Sequence, residues 1–359
     1  MGLKLEGIDF YTGPTVLGAA DDLSAVIVGF LDGATSSLLI AVQEIDSEPI
    51  ARAVLAARAR GVLVKIILEA SYLGEDKAPD DPWLAAGDNE TNRVIHAAFL
   101  RARVDVITDL NPAIFHQKFV VRDHHKPSAA VLTGSANFTL TDTGLNLNGS
   151  GNNLNHVVVL HGQQATEQYK VEFDRLRSGT FGDLHERHEA QPVEFRLGGI
   201  RVKPLFAPRH GPEMEIMKQM LKAGSSIEFA MFTFAQSSGI DDTMGRLAGS
   251  VAIRGVLDRG QGAQAWASTV PLRKAGVELR QNKPGTGVRK IHHKLMVVDG
   301  ALTIVGSFNY TGPANTLNDE NIIVIGDLEE TDPAAWAAQE KVAGYARAVI
   351  ERIMTDLSE

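Results

Sequence analysis

His292-His293-Lys294-Leu295-Met296-Val297-Val298-Asp299, followed six residues later by Gly306-Ser307-Phe308-Asn309, decides the fold because the chain contains the pattern twice. The earlier copy reads His116-Gln117-Lys118-Phe119-Val120-Val121-Arg122-Asp123 and then Gly134-Ser135-Ala136-Asn137. A lone His-x-Lys arises by chance in chains of this size. The same ordered set of His, Lys, Asp, Gly, Ser and Asn occurring twice does not. In the first copy ten residues, not six, separate the aspartate from the glycine. Pro127-Ser128 lie among them and read as a turn, so a longer hairpin with an intact site is expected. On a strand, a His and a Lys two apart project from one face, which accounts for the single residue between them.

Similarity extends outward from both copies. Ser36–Val42 answers Ser225–Met231, and Val62–Glu69 answers Val251–Asp258, each pair reading as buried strands. Ala102–Val106 and Ala275–Leu279 read as short strands leading to the motifs, Val131–Thr133 and Thr303–Val305 as strands ending at Gly-Ser. Closing strands are expected at His156–Leu160 and Asn321–Ile325, and closing helices at Ala165–Arg177 and Trp336–Met354. Strands alternating with helices predict an α/β fold, with sheets covered on both faces. Two domains follow, residues 1–185 and 193–359, joined in the polar stretch 182–192, where His185 and His188 are expected to be solvated.

The chain has 359 residues, 44% of them apolar, enough for two ordinary cores. Without cysteine it has no disulfides, zinc thiolates or cysteine nucleophile. The opening residues MGLKLEGIDFYTG lack the basic start and apolar run of a signal peptide, and no apolar run approaches the ~20 residues of a membrane span. The expected compartment is the cytoplasm, without stable membrane insertion. Formal net charge is −9, but charge is polarised. Arg280, Lys283, Arg289, Lys290 and Lys294 fall in one acid-free run at the second motif, whereas residues 75–90 carry six acids against Lys77.

The doubled pattern resembles the HKD signature of the phospholipase D superfamily, His-x-Lys-x4-Asp followed by Gly-Ser-x-Asn. The resemblance implies two tandem phospholipase D-like domains, each a mixed sheet flanked by helices, related by a pseudo-twofold axis with one active site between them. It also implies the chemistry. A phosphodiester is shielded by its own charge, so its oxygens must be neutralised and its leaving group protonated. Lys118, Lys294, Asn137 and Asn309 are expected to clamp the oxygens, with Ser135 and Ser307 adding donors. One histidine forms a covalent phosphohistidine and the other serves as acid and base. By resemblance His116 is the nucleophile and His292 the acid/base. No metal or other cofactor is implied, and the site is complete in one chain.

Glu320 stands where the family has a carboxylate that holds a catalytic imidazole; the first half has Asn155 at the equivalent place. A carboxylate raises basicity and fixes a tautomer, whereas an amide only orients, so the two histidines are expected to be unequal. The sequence leaves open which of them Glu320 touches. Asp123 and Asp299 are expected to bond backbone or a basic side chain, and Phe138 and Tyr310 to be core. His124-His125 and His292-His293 are adjacent pairs facing opposite ways on a strand, poor chelators, and His293 is expected to point into its own domain. Trp83 is expected to be the buried aromatic of a surface loop. Arg289 and Lys290 suggest a groove for nucleic acid, so a metal-independent nuclease is the expected activity, with a phospholipid phosphodiesterase as alternative.

Overall fold

The computed structural model describes residues 2–75, 77, 80–184 and 190–359. His185 and His188, and much of the stretch expected to join the domains, lie outside the described residues. The first half forms strands β1 (Leu3–Leu5), β2 (Ile8–Gly13), β3 (Ser37–Val42), β4 (Leu63–Leu68), β5 (Asp105–Thr108), β6 (Lys118–Arg122), β7 (Ala130–Gly134) and β8 (Asn152–His161). The second forms β9 (Phe195–Leu197), β10 (Ile200–Ala207), β11 (Ser226–Met231), β12 (Ala252–Leu257), β13 (Glu278–Gln281), β14 (Val288–Ile291), β15 (Lys294–Val298), β16 (Leu302–Gly306) and β17 (Glu320–Ile325).

The two sheets have one topology. Their orders are β5-β4-β3-β6-β7-β8-β2-β1 and β13-β12-β11-β15-β16-β17-β10-β9. In each, three parallel strands meet an antiparallel set at the strand that follows the His-x-Lys. The hairpin β6–β7 carries the longer turn, as the spacing predicts, and β15–β16 the shorter. Strand β14 leaves its own half and pairs in parallel with β8 of the other sheet. The strands β2 and β10, absent from the sequence reading, hold the far flank of each sheet against β8 and β17. The first shows the two-residue alternation of a strand (Ile8 and Phe10 buried, Asp9 and Tyr11 less so), whereas the second is buried along nearly its whole length. Pro204 hides the second: it lies beyond the reach of β9, where a missing N–H costs no ladder bond.

Helices Leu23–Asp32, Glu48–Ala59 and Glu90–Arg101 cover the outer face of the first sheet, and shorter ones cover that of the second. Each half has a core of its own, and the largest apolar cluster lies between the sheets and is shared by both. Helices Gln163–Arg177 and Pro333–Asp356 both bury their apolar stripes in it. Phe119, Tyr169 and Phe206 join there edge to face, with Tyr169 5.1 Å from each partner's ring centre, so side chains from both halves stack in one column. Asp332 caps the last helix by accepting from the Ala334 and Ala335 N–H groups, with Pro333 at the first turn.

Candidate active site

Each motif histidine is delivered by pairing to the opposite half. The His116 N–H donates to Asp319 O at 2.9 Å and the His292 N–H to Leu154 O at 3.0 Å. Side chains repeat the exchange. His116 Nδ1 lies 2.6 Å from Glu320 Oε2, and His292 Nδ1 lies 2.9 Å from Asn155 Oδ1. Glu320 therefore holds His116, the question the sequence left open. The intervening residue of each motif also crosses over. Gln117 Oε1 accepts from Asn321 Nδ2 at 2.8 Å, and in the mirror position His293 Nδ1 sits 3.1 Å from His156 Nδ1 with the rings stacked. His293 was expected to point into its own domain and instead faces the other half, because the seam between the sheets lies directly behind the motif strands.

Ser135 and Ser307 do not serve as donors to the cleft. Both are fully buried: Ser135 Oγ donates to Asn155 Oδ1 at 2.8 Å, and Ser307 Oγ donates to Glu320 Oε2 at 2.6 Å. Each accepts a backbone N–H in return, from His156 and Asn321. They fix the groups that fix the imidazoles. The glycine before each serine is equally constrained, since Gly134 and Gly306 have φ +157° and +151° and a Cβ at either would meet backbone oxygen at 2.3 and 2.2 Å.

Lys118 and Lys294 are buried beside the two histidines and lie close enough to repel one another. Lys118 Nζ donates to His116 O and Gln43 Oε1, and Lys294 Nζ to His292 O. Among the described residues neither has a carboxylate within ion-pair distance. Burial pushes Lys118 down to about 8, against the pull of Glu320 and Asp142. Burial, then repulsion from Lys118, holds Lys294 well below the usual range. The Lys294 ammonium also lies 5.0 Å from the Phe232 ring centre. Burial and the neighbouring lysines likewise hold His116 and His292 well below the usual imidazole range. Burial raises Glu320 to about 8 despite Lys118 and the Ser307 hydroxyl. The two motif lysines therefore lack a partnering carboxylate among the described residues, and a phosphoryl oxygen is the kind of group that can answer them.

Asn137 and Asn309 line this cleft of about 540 Å³ with His116 and His292, and Arg289 and Lys290 stand at its side. Asp123 and Asp299 lie elsewhere. Asp123 accepts from the N–H groups of Thr35, Ser36 and Ser37, and Asp299 from those of Gly224, Ser225 and Ser226, tying each motif strand to the turn before β3 or β11. Both occupy positive φ, near +50°. Phe138 and Tyr310 are buried in the outer cores. Trp83, expected to be buried, is 94% exposed. No group of three or more metal-ligating side chains occurs among the described residues.

Asp142 is the residue sequence reasoning missed. Its carboxylate accepts from the Asn137 N–H at 2.6 Å and from Asn153 Nδ2 at 2.5 Å, and Oδ2 lies 3.6 Å from His292 Nδ1. The signal was present: Thr139-Leu140-Thr141-Asp142 has the spacing of a helix cap, and the second copy has Ala314 where Asp142 stands.

The family model described as "Cardiolipin synthase, PLD-like domain" matches residues 27–177 and 216–339. A mitochondrial cardiolipin hydrolase of Xenopus laevis is 32% identical over 135 residues, 34% of this chain and 63% of that one. A phospholipase D of Rickettsia conorii is 30% identical over 134 residues, 37% of this chain and 65% of its own length. The chain thus spans less than two thirds of these relatives. In structure it resembles phosphatidylserine synthase of Haemophilus influenzae, with TM-score 0.64 and 11% identity over 100% of this chain and 88% of that one, a likeness of fold alone. With both motifs matched in one chain, this protein belongs to the phospholipase D superfamily.

Proposed function

We propose that the chain is a phosphodiesterase of phospholipid-type esters working through a phosphohistidine. The observation that carries it is one cleft lined by two imidazoles, each held through Nδ1, with two buried lysines close beside them that, among the described residues, have no carboxylate at ion-pair distance. With Nδ1 held, Nε2 is the nitrogen left for chemistry. His116 Nε2 attacks phosphorus as the bond to the leaving oxygen breaks, and that oxygen takes a proton from His292 Nε2. Water then attacks the phosphohistidine, gives its proton to His292, and releases a phosphomonoester with His116 restored. Lys118, Lys294, Asn137 and Asn309 neutralise the phosphoryl oxygens as charge builds. The bound anion, with Asp142, raises His292 into its protonated form for the first step.

Phospholipid is preferred over nucleic acid because the relatives are named for lipid substrates and because Glu44, Asp46 and Asp142 line the cleft, where a polyanion's neighbouring phosphates meet like charge. A nucleic acid is the second reading, favoured by Arg289 and Lys290 at the cleft. The test is incubation in EDTA with cardiolipin- or phosphatidylethanolamine-containing vesicles and, separately, with single- and double-stranded DNA, beside H116N and H292N controls. Headgroup or phosphatidate release, lost in both controls, is expected. DNA cleavage lost in both controls, with lipid untouched, overturns the lipid assignment.

A further inference from the structure

We propose that the wall of the cleft built by the N-terminal half is a subsite for a primary ammonium group, so that the phosphodiester cleaved here carries an amino-alcohol headgroup. The inference rests on the phosphodiesterase reading and names its substrate class. The floor of the cleft is nearly twofold symmetric, but its walls are not. After β3 the chain reads Gln43-Glu44-Ile45-Asp46, whereas after β11 it reads Phe232-Thr233-Phe234-Ala235. Glu44 and Asp46 line the cleft together with Tyr72. The basic pair shows the opposite bias: Arg289 and Lys290 precede His292, and Ala113 and Ile114 stand at the matching places before His116. The acids at the cleft thus come from the N-terminal half alone, while β14 carries Arg289 and Lys290 alongside β8, close enough for Arg289 to act on Asp46.

A second observation says what that wall takes. Asn153 also lines the cleft and is 5% exposed. Its Nδ2 donates to Asp142 Oδ1 at 2.5 Å, which fixes the amide so that Oδ1 is the unused atom, and that oxygen has no donor. A buried acceptor without a donor calls for a ligand that donates. A phosphate oxygen only accepts, and a quaternary ammonium has no N–H. A primary ammonium brings three donors and a charge that suits the acids.

Neither Glu44 nor Asp46 forms an ion pair among the described residues. Asp46 Oδ1 accepts the Leu140 N–H at 2.7 Å, and Asn92 bonds the Glu44 side chain. Burial, then repulsion from Asp46 and Asp142, raises Glu44 to about 7. Burial, with Asp142 adding to it, raises Asp46 to about 6 despite the Leu140 bond and Arg289. A cation between them relieves both effects.

The experiment is calorimetric titration of the full chain and of E44Q/D46N with phosphoethanolamine and with sn-glycerol 3-phosphate, ligands of similar size that differ in the ammonium. Both substitutions keep the side-chain shape, and glycerol phosphate binding reports that the clamp remains folded. Wild type is expected to bind phosphoethanolamine about 10-fold or more tighter, and the double variant to lose that preference while holding glycerol phosphate unchanged. Equal binding in wild type, or a preference that survives in E44Q/D46N, overturns the subsite. Turnover of dihexanoyl phosphatidylethanolamine and phosphatidylglycerol then separates the two claims. The binding preference without cleavage of either lipid leaves the subsite standing and sinks the phosphodiesterase reading. Cleavage of both at equal kcat/KM sinks the subsite and leaves the phosphodiesterase.

Discussion

The two half-sites descend from one pattern yet solve the orientation of their histidines differently. His116 leans on a buried carboxylate, Glu320, which itself takes a hydrogen bond from Ser307. His292 leans on a neutral amide, Asn155, and has its carboxylate, Asp142, one step further off at 3.6 Å. A close carboxylate makes an imidazole that gains positive character on attack easier to form, as a nucleophile requires. A more distant one leaves the other imidazole readier to give its proton away. Behind the motifs the halves differ again: an amide pair, Gln117 with Asn321, on one side, and an imidazole pair, His293 with His156, on the other. Repetition supplied the frame, and a few differences at equivalent places make the two half-sites unequal.

The largest test of that division compares H116N with H292N in single-turnover assays. H116N is expected to lose about 10⁴-fold or more in rate and never to acquire label, since no covalent intermediate can form. H292N is expected to lose about 10²–10⁴-fold, but to build up phosphohistidine from a substrate whose leaving group needs no protonation. Label on H116N would reverse the assigned roles. Next, E320Q removes the carboxylate behind His116 and is expected to cost about 10²-fold or more in kcat, whereas N155D adds one behind His292. The added charge should raise the His292 pKa and move the alkaline limb of the rate profile upward without abolishing turnover. A smaller effect, about 10-fold, is expected for D142N, with the same limb moving down; an unmoved limb would mean that Asp142 only braces the Asn137 loop.

The smallest effect concerns stability. His156 is pushed down to about 3 by burial and Lys294, and His293 is held well below its usual range by burial and His156. Unfolded, both titrate near 6.5, so below that pH the unfolded chain binds more protons and folding weakens; above it the effect vanishes. At pH 5.5 the loss is about 1–2 kcal/mol for each ring. The amide pair has no such liability. Copying it across as H156N/H293Q should flatten the acid side of a urea-denaturation series, and an unchanged pH slope would show that the rings do not set it.

Much of this was readable in the residues. The doubled motif carried the strands around each copy, the meeting of the two motifs and the longer first hairpin, because strand periodicity and motif spacing are local properties; the strand order and the flanking β2 and β10 were not foreseen. The spacing of Glu320 and Asn155 from their aspartates showed the inequality but not its assignment, because which half reaches across is a matter of packing. Trp83 misled, since an aromatic in a charged loop carries no periodic signal of burial. The serines misled because an exposed donor and a buried brace use the same residue type. Asp142 was visible only by comparing the copies position by position, which exposes Ala314 opposite it. The nuclease expectation weighed a basic run along the chain and had no view of the acids that fold opposite it.

The crossing contacts also set when the protein comes to life. Glu320, the brace for the first histidine, lies 204 positions after it in the chain, and His292 takes its own brace from Asn155. Strand β14 sews onto β8 across a similar gap. A nascent chain leaving the ribosome therefore shows its first His-x-Lys long before that imidazole can be aligned. Until the last strand of the second sheet arrives, His116 is without the carboxylate that orients it.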